Sequence, residues 1–154
     1  MPEIWASERA KAVIARHAGE PGAMLPILHD LQEVFGCVCA EAVPLLADAL
    51  NLSRAEVHGV VTFYHDFRRA PPGRHVVKLC QAEACQAMGC RDLAGHASAR
   101  LGVALGDTTP DGRVTLKAVY CLGLCATAPA AMVDGAVVGR VTPARLDRLL
   151  EDLG

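Results

Sequence analysis

HVVKLCQAEAC (His75–Cys85) and RVTLKAVYCLGLC (Arg113–Cys125) share one plan: a short apolar run leads into a cysteine, and a second cysteine follows a few residues later. The runs His75–Cys80 and Arg113–Cys121 have the β-branched content of strands. Between them, residues from about Met88 to Leu101 predict a helix, because Leu93, Ala97 and Leu101 fall on one face. Thr109-Pro110-Asp111-Gly112 is a turn signal ahead of the second run. AAMVDGAVVGRV (130–141) predicts a hairpin turning at Asp134-Gly135, since Asp-Gly favours tight turns with positive φ. Thr142 and Pro143 suit the cap and first position of a last helix reaching about Leu153. The order is strand, helix, strand, hairpin, helix. It predicts a small α/β layer with a four-stranded mixed sheet.

Working back toward the amino terminus, the pattern changes at Pro71-Pro72-Gly73. Upstream of it the periodicity is helical. Ser7 is placed to cap a helix running to about His17. LPILHDLQEVF, with Pro26 in its first turn, predicts a second helix stopped by Gly36; Ile27, Leu28, Leu31, Val34 and Phe35 carry its apolar spacing. EAVPLLADAL predicts a third, with Pro44 in its first turn and Asn51 beyond its end. Ser53-Arg54-Ala55-Glu56 is a capping box, in which Ser53 and Glu56 each satisfy an orphan backbone donor. The fourth helix is expected to run toward Asp66. The sequence therefore predicts an α+β chain: a helical bundle over residues 1–72, then the α/β unit over 73–154.

Composition narrows the function. The chain has 154 residues, 52% of them apolar, enough for a folded core, but only 4% aromatic. Packing therefore rests on Leu, Val and Ala. The formal net charge is −2, which predicts no broad attraction to nucleic acid or anionic membranes. LADALNLSRAEVHGVV has the look of a helix-turn-helix. Residues 1–70, however, hold six Lys or Arg against nine Asp or Glu, the wrong sign for a phosphate-binding face. No apolar run is long enough to span a bilayer, and MPEIWASERAK lacks the apolar core of a secretory signal. The expected compartment is the cytoplasm, where thiols stay reduced. Seven cysteines there point to metal ligands or buried thiols rather than to disulfides.

Cys80 and Cys85 form C-x4-C, and Cys121 and Cys125 form C-x3-C, with 35 residues between the pairs. If the two strands are neighbours, both pairs lie on loops at the strands' carboxyl ends and four thiolates converge. Four soft sulfur donors select zinc or an iron–sulfur cluster over hard cations. Ala82, Ala84 and Gly123 keep the backbone near the site, where N–H groups can hydrogen-bond cluster sulfurs. Spacing alone leaves zinc and iron–sulfur both open.

LPILHDLQEVFG, ALNLSRAEVHGVVTFYHDF, the PPG that follows, C-x4-C, CLGLCATAPA and VDGAVVGRVTP together resemble the thioredoxin-like 2Fe–2S subunits of NADH-linked flavoprotein complexes. The likeness covers nearly the whole chain. It implies a thioredoxin-like fold for residues 73–154 and one 2Fe–2S cluster, with Cys80 and Cys85 on one iron and Cys121 and Cys125 on the other. It also implies a non-catalytic electron-transfer role, exchanging single electrons with the FMN of an NADH-binding partner that the helical half helps to dock. CQAEACQAMG is most similar to the gamma subunit of soluble NAD-dependent formate dehydrogenases, which implies a molybdenum- or tungsten-containing catalytic subunit in the same complex. The equivalent subunits of NADH:quinone oxidoreductase and of NAD-reducing hydrogenases are the alternatives; a structural zinc module is the alternative from another class. A thioredoxin-like fold often places a cis proline at the position of Pro129.

Other residues carry weaker signals. Cys90 repeats the C-x4-C spacing after Cys85, but is expected to be a small buried residue. Cys37 and Cys39, where relatives often carry an aromatic and a proline, are expected to be packed thiols at a helix junction. His58 and His65 are expected to share a helix face without acting as ligands, and Arg68 and Arg69 to form a solvated helix end. No C-x-x-C supports thiol–disulfide exchange, and no G-x-G-x-x-G follows a strand to bind a dinucleotide.

Overall fold

The computed structural model describes residues 3–154, which form two compact units, the chain passing from one to the other between Pro71 and Pro72.

The first unit is helical: α1 (Ser7–Ala15), α2 (Met24–Phe35), α3 (Ala42–Leu50) and α4 (Arg54–Phe63). Ser7 does not cap α1 but is its first residue. The cap position is Ala6, which makes no side-chain hydrogen bond. α2 ends at Gly36 and α3 at Asn51, both left-handed, as their sequences predict. The capping box forms: the Ser53 hydroxyl accepts from the Glu56 N–H, and Glu56 accepts from the Ser53 N–H at 2.8 Å. α4 is shorter than expected, because Tyr64 turns extended. His65 is therefore off the helix, its Nδ1 3.0 Å from the Phe63 carbonyl, and shares no helical face with His58. The core is built from Ile27, Leu28, Leu31, Phe35, Leu46 and Val57, all essentially inaccessible. Trp5 packs on Phe35 with ring centroids 4.9 Å apart. Each such side chain contributes roughly 1.5–3 kcal/mol on burial.

The second unit carries a four-stranded sheet in the order β2-β1-β3-β4, from β1 (His75–Cys80), β2 (Val114–Val119), β3 (Ala131–Val133) and β4 (Ala136–Val138). β1 and β2 run parallel, while β1–β3 and β3–β4 are antiparallel, so the sheet is mixed as expected. The hairpin turns at Asp134-Gly135. The Asp134 carboxylate accepts from the Val76 N–H and lies against His75 Nδ1, each at 2.7 Å. Helical residues between β1 and β2 form two pieces, α5 (Glu83–Ala87) and α6 (Cys90–Leu101), where one helix from about Met88 was expected. α7 (Pro143–Glu151) opens with Thr142 accepting from the Arg145 N–H. Val77, Leu79, Leu93, Ala97, Leu116, Leu146 and Leu150 fill the core. Among the described residues no helix is long and apolar enough to cross a membrane.

Candidate iron–sulfur centre

Parallel pairing sets the site. Cys80 is the last residue of β1 and pairs with Val119, the last of β2, so both cysteine loops leave the sheet at one end. Correcting the sequence reading, β2 stops two residues before Cys121, which lies in the loop with φ of 89°. The Gln81 N–H donates to the Val119 carbonyl at 2.8 Å, and the Cys80 N–H to the Ala130 carbonyl at 3.0 Å. These bonds bring the loop after β1, the loop after β2 and the segment entering β3 together. The Ala128–Pro129 bond in that segment is cis.

The four sulfurs of the two motifs form an inner and an outer pair. Cys80 and Cys85 are buried and hydrogen-bonded to each other. Cys121 and Cys125 are exposed, with sulfurs 3.7 Å apart. Burial pushes the Cys80 thiol up. Hydrogen bonds from the Ala82 N–H, the Cys85 thiol and the N–H groups of Cys121 and Leu122 outweigh it, holding Cys80 below the ordinary thiol value. That is the thiolate character a metal ligand needs. Burial, then the contact with Cys80, raises Cys85, opposed by the Ala130 N–H. The hydrogen bond to Cys121 raises Cys125, with the nearby Cys80 sulfur adding to it.

The donor chemistry fits a 2Fe–2S rhomb. It supplies four cysteines in two pairs, the number of thiolates such a cluster takes. A lone zinc ion needs a single tetrahedral group instead. Backbone amides aimed at a sulfur are also what an iron–sulfur site uses to tune its potential.

Cys90 is buried at the start of α6, its thiol 3.5 Å from Gln81 Oε1, as its small size led one to expect. Two features were not read from the sequence. One is α5, which places Cys85 on a short helical turn. The other is Gly139. A Cβ there would run into the Thr127 hydroxyl and lie 2.8 Å from the Thr127 Cβ and 2.9 Å from its carbonyl oxygen, so only glycine lets the chain leaving β4 pass the 3₁₀ turn Cys125–Thr127 that carries a candidate ligand. Gly139 stands in the VDGAVVGRVTP segment, but the sequence does not show its neighbour across space.

A thioredoxin-like unit with paired cysteines at one end of its sheet defines an iron–sulfur electron carrier. Residues 10–154 match the thioredoxin-like 2Fe-2S ferredoxin family, and the chain belongs to it, with one 2Fe–2S cluster as its cofactor. It is 38% identical to a subunit of the NADH-quinone oxidoreductase of Pseudomonas aeruginosa over 88% of this chain and 82% of that protein. It is 35% identical to the HndA subunit of the NADP-reducing hydrogenase of Solidesulfovibrio fructosivorans over 85% of this chain and 77% of that one. In structure, it is similar to a chain of the NAD+-reducing NiFe hydrogenase in the air-oxidized state, with a TM-score of 0.71 and 29% identity over 84% of this chain. The present chain spans about a fifth (22%) of that hydrogenase chain.

Proposed function

We propose that Cys80, Cys85, Cys121 and Cys125 hold the cluster, and that the chain relays single electrons to and from the flavin of an NADH-binding partner subunit. The observation that carries this reading is the convergence of the two cysteine pairs, with three backbone N–H groups donating to Cys80. The relative named as a subunit of NADH-quinone oxidoreductase supports the NADH-linked setting, and the subunit of an NADP-reducing hydrogenase supports a nicotinamide-linked one more broadly.

When bound, the cluster supplies reversible one-electron chemistry. The chain's own residues set its conditions. Cys80 and Cys85 are buried, and as ligands they would shield the cluster from water, which lowers a potential, while the amides of Ala82, Cys121 and Leu122 that donate to Cys80 would raise it. Cys121 and Cys125 are exposed, so a cluster they helped to hold would be open to electron exchange at the surface. Tyr120 (74% exposed) adjoins Cys121, and Met88 (61%) follows the helix of Cys85. Both suit the apolar part of a docking rim. The cluster domain corresponds to residues 73–154. Residues 1–72 serve as a helical docking domain, for which exposed Phe63 and Tyr64 on and just after α4 are suited.

The parent complex we infer is a soluble, cytoplasmic NAD-dependent formate dehydrogenase, with a molybdenum- or tungsten-containing catalytic subunit. The support is the likeness of CQAEACQAMG to its gamma subunit. The test is gentle purification of the tagged chain from its source. The reading predicts co-purification of a flavin- and NADH-binding subunit, and bleaching of the cluster absorbance by formate as well as by NADH. Bleaching by NADH alone, with electrons passing to quinone or to protons, would assign the chain to one of the other two complexes. Purification without any flavoprotein would overturn the relay.

A further inference from the structure

The first unit holds a second pair of sulfurs that the cluster does not use. Cys37 and Cys39 lie in the connection between α2 and α3, separated only by Val38, with sulfurs 2.9 Å apart. That is well inside an ordinary non-bonded contact of roughly 3.5–4.0 Å and less than 1 Å beyond the ~2.05 Å of a disulfide. The surroundings hold the two sulfurs face to face. The Val38 N–H donates to the Arg68 carbonyl at 2.7 Å, and the Ala42 N–H to the Cys39 carbonyl at 3.0 Å. The Arg68 side chain donates to the Gly36 carbonyl at 3.2 Å, and its Nε is buried with no hydrogen-bond partner among the described residues. This corrects the reading of Arg68 as a solvated helix end: its positive charge is set beside the thiol pair, opposed by Glu41.

We propose that Cys37 and Cys39 are a reversible dithiol–disulfide site that reacts with low-molecular-weight disulfides. Cys37 is fully buried and Cys39 half-buried. Burial, then the hydrogen bond to Cys39, pushes the Cys37 thiol up to about 12. Cys39 is therefore the sulfur that meets the oxidant, and Cys37 the one that resolves. Cys39 displaces one thiol from the small disulfide, forming a mixed disulfide and passing its proton to the departing thiolate. Cys37 then attacks the Cys39 sulfur, expelling the second thiol, which takes the Cys37 proton. One S–S bond of the oxidant is replaced by one in the protein, and two small thiols are released. A disulfide across one intervening residue closes almost no loop, so it gains little chain-entropy stabilisation. It belongs with the labile, readily reduced bridges. The site does not rest on the cluster assignment.

The test uses the full chain with its cluster bound, treated with oxidised glutathione, quenched by alkylation and digested with trypsin. Residues 17–54 contain no internal Lys or Arg, and Cys37 and Cys39 are their only cysteines. The pair is thus read on one peptide, free of the cluster ligands. The expected product is that peptide lighter by two hydrogens, unalkylated, and restored by dithiothreitol. Cys37→Ser should instead trap a stable glutathione adduct on Cys39. Cys39→Ser should leave Cys37 reacting at least about tenfold more slowly, as an inaccessible thiol does. Circular dichroism and cluster absorbance check that each variant is folded. A peptide that remains a dithiol, or a wild-type chain that stops at the glutathione adduct, would overturn the proposal. So would a Cys39→Ser chain reacting as fast as the wild type.

Discussion

The N–H of Gly123 donates to the sulfur of Cys121 over 3.3 Å. The bond is possible because Gly123 takes φ of 76° and folds the Cys121–Cys125 loop back on the Cys121 sulfur. A Cβ at Gly123 would meet nothing within 4 Å, so space does not require glycine here; the backbone does. Gly123→Ala is expected to cost about 1–2 kcal/mol of stability, the penalty of a left-handed L-residue, and to shift the cluster's visible bands. Gly123→Asn, which tolerates that region better, should fall between. Denaturant titration with absorbance spectra checks both.

Gly139 makes the opposite kind of demand. Its neighbour Thr127 sits on the turn of Cys125, and the Arg140 N–H donates to the Thr127 carbonyl at 2.6 Å. Gly139→Ala should force that turn outward, at an overpacking cost of roughly 1–3 kcal/mol. Cluster retention should fall more than secondary structure, which circular dichroism and iron content on the same sample will separate.

Asp134 ties the hairpin to β1 and gives a pH signature. Burial pushes its carboxyl up, but the bonds with His75 and the Val76 N–H outweigh this and hold it below the usual value of 3.8. A depressed carboxylate contributes stability above its unfolded pKa and loses it as pH falls through the folded one. Because the side chain is 43% exposed, Asp134→Ala should cost only about 1–2 kcal/mol at neutral pH, the lower part of the range for hydrogen bonds to a charged group. The gap from wild type should close as pH drops below 3.8. A gap unchanged across that window would place the effect in the turn's backbone instead.

Ser53→Ala should lower stability by about 1 kcal/mol through loss of the α4 cap. Both bonds of the box are present in the structure. Thermal melts should register the loss while the cluster spectrum stays unchanged.

The parts legible in the sequence are those fixed by local chemistry. Ser53 and Glu56 announce their helix start, Asp134-Gly135 its turn, and β1 has the bounds His75–Cys80 that its pattern predicts. The parts that were not legible depend on neighbours distant in sequence. β2 ends at Val119 because pairing with β1 ends there, although the apolar run continues to Cys121. α4 stops at Phe63, although Tyr64 and Phe67 continue its apolar pattern; Phe67 instead stacks its ring on His29 at 5.0 Å. The four thiols were visible as spaced pairs. That the Cys121 and Leu122 amides point at Cys80 required the sheet.

The proposed cluster ligands are Cys80, Cys85, Cys121 and Cys125. The most direct measurement is iron and acid-labile sulfide per chain, read with the visible spectrum, in single alanine variants of these four and in a combined Cys37, Cys39 and Cys90 variant. The wild type and the combined variant should each hold about two irons and two sulfides, and each single variant should lose or markedly disturb them. A combined variant that lost its cluster beside a Cys125→Ala chain that kept it would contradict the assignment.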